Sequence, residues 1–296
     1  MACCIIQQTL ITVHLKPQTV LRPKKYGVEM SKSLLNALFR SIAKAIAFTP
    51  IYPHWLEFRG LDKLRLFLID RLHGSILEVG SGEGRLKGLA LKKNNKISSY
   101  TATDNDTWDC TFTEFSSSAT SSNFIDALRL TSVRETPDEF CDATNLPYGN
   151  ESFDCHVSVE TLEHIPDPLA YFREAARVIK PGGIVILTVP FLYRAHPDFE
   201  SDYSRFLPGA YKHMASINGL ELEEWYANSG IGGTCACMIN QYVIRNFIEI
   251  RSIFRYLLLP VAPIIFIITN LIGFVLDLRP DTRFATRFLI VLKKPC

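Results

Sequence analysis

"ILEVGSGEGRL", residues 76–86, is the stretch from which the rest of the chain can be interpreted. It places three strand-forming apolar residues around an acid, Glu78, and then puts glycine at positions 80, 82 and 84. Glycine adopts backbone conformations that other residues avoid, and its missing side chain lets another group approach the backbone closely. The stretch therefore predicts a buried strand that ends in a glycine turn, with a ligand lying against that turn.

The segments around this turn alternate between helix and strand patterns. A helical pattern over 61–72 leads into the strand, a second helix follows over 85–93, and ISSYTATD (97–104) is then typical of another strand. This succession is the beginning of an alternating α/β sheet. Later strand and helix patterns continue it, at 153–159, 169–180, 184–190, 207–217, 220–226 and 287–294.

Length, charge and cysteine content narrow the class of protein. A chain of 296 residues, 47% of them hydrophobic and 21% charged, is long enough to bury one substantial core. The net charge of +2 gives no reason to expect a nucleic-acid partner. The eight cysteines are scattered, without a CxxC pair or histidines at zinc spacing, so we expect reduced thiols in the cytoplasm and no metal site.

The residues around the glycine turn distinguish three kinds of ligand. A phosphate-binding loop needs Lys and then Ser or Thr after its last glycine, whereas Arg85 and Leu86 follow here. A dinucleotide fingerprint needs glycine at position 85, which disfavours nicotinamide and flavin cofactors. A ligand with an amino-acid end fits better, because backbone N–H groups can bind its carboxylate while Glu78 offsets an ammonium or sulfonium charge. Asp104, at the tip of the next strand, is placed to accept ribose hydroxyls, and the whole description fits S-adenosylmethionine.

Several segments in order carry a family resemblance: ILEVGSGEGRL, TATD, and the run from CDATNLP at 141–147 to IVILTVPF at 184–191. Together they resemble the class I S-adenosylmethionine-dependent methyltransferases of the type 11 group. The resemblance implies an α/β fold: a Rossmann-like, seven-stranded, mostly parallel sheet with helices on both faces and an antiparallel last strand. We expect four segments along the chain: an N-terminal extension with an amphipathic helix (1–60), the methyltransferase core (61–227), a hydrophobic helical insertion (228–285) and the final core strand (286–296).

The resemblance also implies roles for individual residues at the cofactor. Asp142 would accept from the adenine amino group beside the backbone N–H of Ala143, although an aspartate there is also suited to capping a turn. Glu160 would lie beside the sulfonium. The full set of implied cofactor-binding residues is Glu78, Gly80, Ser81, Gly82, Gly84, Asp104, Asp142, Ala143 and Glu160.

The acceptor side is predicted after the fifth strand, in FLYRAHPDFESDYSRFLP (191–208). Methyl transfer needs mainly alignment, but a hydroxyl or amine acceptor also benefits from a base. The candidate catalytic residues are His164, His196, Asp202 and Tyr203. The alternatives are a solvated loop and, for His164, a histidine of the core.

The expected acceptor is a small molecule, a glycan or a lipid-linked intermediate. The loop also loosely resembles methyltransferases of bacterial surface-polysaccharide clusters. Two other interpretations stay open: a quinone-type methyltransferase at the membrane, and a methyltransferase-fold binding protein without turnover.

Two segments bear on membrane contact. Residues 31–48 have the pattern of a basic amphipathic helix, suited to covering the core or to a membrane surface. Residues 256–276 carry no charge, but a bilayer span there would separate the last strand from its sheet. We therefore expect a helical hairpin that dips into the membrane interface or caps an acceptor tunnel, in a cytoplasmic protein with peripheral membrane attachment.

Overall fold

A computed structural model describes residues 46, 48–82, 85–105, 137–195, 201–248 and 260–296. The predicted amphipathic helix and the segment between Asn105 and the third strand lie almost wholly outside these residues. So do Gly84 and His196 among the predicted site residues. The described residues all fall within one compact unit, and the expected division into four segments stays a prediction.

Seven strands and six α-helices make up the described part of the chain. The strands are β1 (Gly74–Val79), β2 (Ile97–Asp104), β3 (Glu139–Phe140), β4 (Phe153–Val159), β5 (Ile179–Pro190), β6 (Glu221–Ala227) and β7 (Arg287–Lys293). The helices are α1 (Trp55–Arg71), α2 (Arg85–Lys93), α3 (Pro168–Val178), α4 (Pro208–Ser216), α5 (Ile231–Val243) and α6 (Ala262–Leu276).

The strands form one sheet in the order β3-β2-β1-β4-β5-β7-β6. The pairs from β3 to β5 are parallel, while β7 is antiparallel to both of its neighbours. This confirms the predicted Rossmann-like fold. The carboxyl ends of β1, β2, β4 and β5 therefore share one edge with the first residue of β7, and we call this the carboxyl edge. The strand order reverses between β1 and β4, which is where ligands bind in open α/β sheets.

Helices cover both faces of the sheet, because neighbouring strand residues point to opposite sides. Leu77 and the odd-numbered residues of β5 pack with α3 and α4. Ile76 and the even-numbered residues of β5 pack with α1 and α2. The apolar runs of the central strands are thus buried on both faces, as parallel strands require.

The boundaries of two elements differ from the sequence patterns. Helix α1 begins at Trp55 and continues through Gly60, where a Cβ atom would lie 2.0 Å from the carbonyl oxygen of Asn228. That glycine therefore permits a close contact inside the helix and does not mark its start. Strand β5 begins at Ile179, five residues earlier than predicted, and the short β3 has no pattern that predicts it.

Helices α5 and α6 form the predicted helical insertion between β6 and β7. They pack closely through small residues, since a Cβ atom on Gly232 would lie 2.2 Å from the carbonyl oxygen of Gly273. The Asp277 carboxylate, just after α6, accepts three backbone N–H groups at the start of α5. Within the ranges that the structure describes, no helix is both long and apolar enough to cross a membrane.

Candidate active site

The glycine turn after β1 is attached to the end of β2. The N–H groups of Gly80 and Ser81 both donate to the Thr103 carbonyl at 2.9 Å. The Gly82 N–H donates to Oδ2 of Asp104 at 2.6 Å. Each of these three N–H groups thus donates within the protein, and their binding of a ligand carboxylate stays a prediction. The turn holds Asp104 in place.

The two described glycines of the turn are required for different reasons. Gly80 has a φ of 74°, and a Cβ atom there would lie 2.2 Å from the side chain of Thr161. Gly82 also has a positive φ, 54°, but a Cβ atom there would meet no atom of the described residues within 4 Å. Gly80 is thus constrained by packing, whereas Gly82 borders space among the described residues in which a ligand has room.

Two buried carboxylates lie beside this space. Glu78 Oε2 accepts the hydroxyl of Tyr100 at 2.9 Å, and burial, reinforced by the negative charge of Asp104, raises the pKa of Glu78 to about 8. Burial also raises the pKa of Asp104, although N–H groups of Gly82 and Asn105 donate to it. Neither forms an ion pair with a described residue, so the site favours a ligand that carries positive charge and hydroxyl donors.

Asp142 and Ala143 follow β3 at the same edge. Asp142 caps a turn, as the alternative interpretation holds: its Oδ1 accepts the backbone N–H and the hydroxyl of Thr144 at 2.8 and 2.7 Å. The Cys141 N–H donates to the Asp104 carbonyl at 2.8 Å, which ties this turn to the tip of β2. The structure therefore brings Asp142 close to Asp104, and its role at adenine stays a prediction.

Glu160 follows β4 in a strained conformation, with a φ of 52°. A positive φ costs a non-glycine residue on the order of 1–3 kcal/mol and persists only where the surroundings hold it. Here the Glu160 N–H donates to the Thr188 carbonyl at 2.9 Å, and Oε2 accepts Nε of Arg287 at 2.8 Å. Sequence reasoning missed Arg287, although an arginine that opens an apolar strand needs a buried partner.

Arg287 also joins the carboxyl edge to helix α1. Its guanidinium is buried, pairs with Glu57 and lies 4.2 Å from the ring centroid of Tyr193. Glu57 also contacts His54 at 2.9 Å and the Cys237 thiol at 3.3 Å. These last three residues are the only cluster with metal-ligand geometry that the described ranges contain. Because Glu57 already neutralises Arg287, we interpret the cluster as a hydrogen-bond network.

The predicted acceptor side lies after β4 and β5. Nδ1 of His164 donates to the Ser201 carbonyl at 2.5 Å, and the Tyr203 N–H donates to the Glu163 carbonyl at 2.7 Å. Asp202 is buried in a bidentate ion pair with Arg205. The structure thus brings His164, Asp202 and Tyr203 to one side of the edge, while His196 lies outside the described residues.

The fold and this site agree with a comparison against protein families. A family model described as a methyltransferase domain matches residues 53–232, which is more than half of the chain. The chain belongs to the class I S-adenosylmethionine-dependent methyltransferases. The match begins before Trp55 and so includes helix α1, which the sequence patterns assigned only in part.

Curated relatives of this methyltransferase match over shorter stretches. A 27-O-demethylrifamycin SV methyltransferase of Amycolatopsis mediterranei is 32% identical over 104 residues, 35% of this chain and 38% of that protein. A 2-methyl-6-phytyl-1,4-hydroquinone methyltransferase of Oryza sativa is 38% identical over 89 residues, 30% of this chain and 24% of the relative. A demethylmenaquinone methyltransferase of Mycobacterium tuberculosis is 29% identical over 141 residues, 48% and 55% of the two chains. The chain thus spans about a quarter to about half of these proteins.

The residues of the carboxyl edge fit the cofactor of the methyltransferase family. Space among the described residues borders Gly82, and the carboxyl groups of Glu78 and Asp104, which form no ion pair with a described residue, supply acceptor oxygens at this end of the sheet. The Ser81 hydroxyl and Oε1 of Glu160 are buried without a hydrogen-bond partner among the described residues. Buried polar atoms in native proteins are normally satisfied, so these two point to a polar ligand or to water at this edge.

Proposed function

We propose that the protein transfers a methyl group from S-adenosylmethionine to a small-molecule, glycan or lipid-linked acceptor. The observation that carries this proposal is the acid-and-glycine turn bonded to Asp104, at the switch point of a class I sheet. When bound, the cofactor supplies a methyl group on a positively charged sulfur. The chain's own residues then have to bind the cofactor, align the acceptor with its methyl group and exclude water.

Each cofactor-side residue has a role in this proposal. Asp104 accepts from the ribose hydroxyls through lone pairs that the Gly82 and Asn105 N–H groups leave available. Glu78 favours the cationic methionine end by its charge. Asp142 accepts from the adenine amino group, with the N–H of Ala143 beside it. Gly80 and Ser81 shape the turn, and Glu160 lies toward the sulfonium.

His164 is the best-supported base among the four acceptor-side candidates. A carbonyl can only accept, so the bond to Ser201 places a proton on Nδ1 of His164; Nε2, which lies 3.9 Å from Oε1 of Glu163, is the nitrogen that would accept a proton. The Asp202 carboxylate is bound by Arg205, so it is a poor base and is better suited to holding the loop. Tyr203 is half exposed and is available to contact the acceptor.

A quinone-type acceptor is the second candidate for this site. Two of the relatives are named for hydroquinone and menaquinone substrates, and both substrates are lipophilic. The scattered cysteines of the sequence suit a reducing compartment such as the cytoplasm. Peripheral membrane contact suits an enzyme with an acceptor of this kind.

Transfer of a labelled methyl group tests the proposed function. The full chain is incubated with methyl-labelled S-adenosylmethionine and, in parallel, with lipid and polar extracts of cells. Label in the lipid extract supports a quinone-type or lipid-linked acceptor, and label in the polar extract supports a small molecule or glycan. A His164→Asn variant should transfer the methyl group roughly 10²- to 10⁴-fold more slowly while it still binds the cofactor. Cofactor binding without transfer in any extract would identify a non-catalytic binding protein.

A further inference from the structure

Helix α6 buries Phe266 together with polar residues and exposes most of its aliphatic side chains. Its polar side chains face the protein: the Thr269 hydroxyl donates to Oδ1 of Asn240, and the Asn270 amide donates to the Tyr52 carbonyl at 2.8 Å. Its aliphatic side chains point to solvent, and together they form what we call the outer face: Ile264, Ile268, Leu271, Ile272, Val275 and Leu276. An apolar face of this kind marks an interaction surface.

Basic side chains border the outer face. Arg59 lies 5.3 Å from the ring centroid of Phe274, an α6 residue beside that face. Arg245 and Arg279 are exposed just beyond α5 and just beyond α6. None of these three arginines forms an ion pair with a described residue. The Asp277 carboxylate, directly after α6, is occupied by N–H groups at the start of α5. The surface is therefore apolar in its centre and positive around it.

We propose that the outer face docks on an anionic lipid bilayer. Aliphatic residues flanked by arginines match the acyl and headgroup layers of such a surface. Protein interfaces also combine an apolar core with a polar rim, but the arginines beside the outer face favour an anionic surface. The polar side of α6 is bound to the protein, so the helix lies on the bilayer while its polar groups keep their partners.

Docking here would bring the methyltransferase site to the lipid surface. Helix α5 begins just after β6 ends at the carboxyl edge, and β7 starts there. Glu57 links the two, since it contacts Cys237 on α5 and pairs with Arg287 beside Glu160. This step rests on the proposed function: an acceptor of the quinone or lipid-linked class would reach the edge from the membrane.

Vesicle sedimentation without cofactor tests the docking separately from catalysis. The full chain is mixed with vesicles of phosphatidylcholine and phosphatidylglycerol, or of phosphatidylcholine alone. Ile268 and Ile272 are 52% and 56% exposed, and an Ile268→Glu/Ile272→Glu variant should bind anionic vesicles at least about 10-fold more weakly. Ile217 is also 56% exposed but follows α4, so Ile217→Glu is the matched control and should bind like the wild type. Arg59→Gln should weaken binding roughly five-fold, and only to anionic vesicles.

Three results would overturn the docking surface. In the first, the Ile268→Glu/Ile272→Glu variant and the Ile217→Glu control bind anionic vesicles equally well. In the second, the wild type sediments with neither kind of vesicle. In the third, light scattering shows a wild-type dimer that Ile268→Glu/Ile272→Glu converts to a monomer. The last result would assign the outer face to a second copy of the chain. In each case the labelled-methyl assay still reports on the proposed function independently.

Discussion

Glu78, the acid of the glycine turn, is the residue whose charge should respond most to cofactor binding. Its folded pKa of about 8 is raised above the ordinary 4.5, so the unliganded protein loses stability as pH rises through about 8. S-adenosylmethionine carries a net positive charge and favours the carboxylate. We therefore expect its affinity to increase about three- to ten-fold from about pH 6 to about pH 9.

Calorimetric titration across this range measures the effect of Glu78 directly. Below about pH 8, binding should also release a fraction of a proton, which appears as a dependence of the heat on the buffer. Glu78→Gln should bind more weakly and with little pH dependence. A wild-type affinity that stays constant with pH would show that Glu78 does not sense the ligand.

Arg287 should be essential to stability, because it is buried between Glu57 and Glu160. Arg287→Met would leave the buried Glu57 and the partly buried Glu160 without their cation and should lower the free energy of unfolding by about 3–5 kcal/mol. A Glu160→Gln variant keeps the ion pair between Arg287 and Glu57. It should therefore lower stability less than Arg287→Met does and act mainly on cofactor affinity. Urea denaturation and cofactor titration separate the two effects. Arg65→Met, which breaks an exposed ion pair, is the control and should cost less than about 1 kcal/mol.

At the scale of elements, β4 contains a buried histidine that should limit acid stability. His156 has no hydrogen-bond partner among the described residues, and burial lowers its pKa from 6.5 to about 4. The folded state therefore binds fewer protons than the unfolded state, and stability is lost as pH falls below about 6.5. We expect a loss of about 2–3 kcal/mol near pH 4.5, measured by urea denaturation. The loss should be smaller in His156→Leu, and an equal loss in both proteins would contradict this assignment.

The helices and strands also show which parts of the fold can be predicted from the sequence. The central strands are predictable because an apolar run next to a glycine turn or a proline rarely forms another element. The sequence patterns predicted six of the seven strands that the structure describes. Strand β3 was missed because two exposed residues leave no periodicity. The helical pattern began at residue 61, whereas α1 begins at Trp55 and contains Gly60, whose close approach to the Asn228 carbonyl appears only in the folded chain.

The sequence predicts those features of the candidate site that depend on residues close together in the chain. Gly80 and Gly82 have the positive φ that their pattern suggests, and Asp104 lies at the tip of β2. The network of Glu57, Arg287 and Glu160 was not predictable, since it joins residues far apart in sequence and depends on the folded sheet. The hydrogen bonds that occupy the turn's N–H groups were missed for the same reason.

At the scale of the whole molecule, the site consists of segments that only the sheet brings together. Hydrogen exchange should show this directly. Adding S-adenosylmethionine should protect the chain around 80–82, 103–105, 141–144 and 160–161, while α6 should be unaffected in the absence of lipid. Protection confined to a single segment would contradict a cofactor site that spans the carboxyl edge.

The central claim is tested most directly by titrating the purified full chain with S-adenosylmethionine. We expect a Kd between about 1 μM and about 1 mM, the ordinary range for a metabolite. Asp104→Ala should weaken binding by about 1–3 kcal/mol, the cost of leaving buried hydrogen bonds unmade. Asp62→Ala, at an exposed acid of α1, should bind like the wild type. A wild-type protein that binds NAD and shows no heat with S-adenosylmethionine would contradict the account.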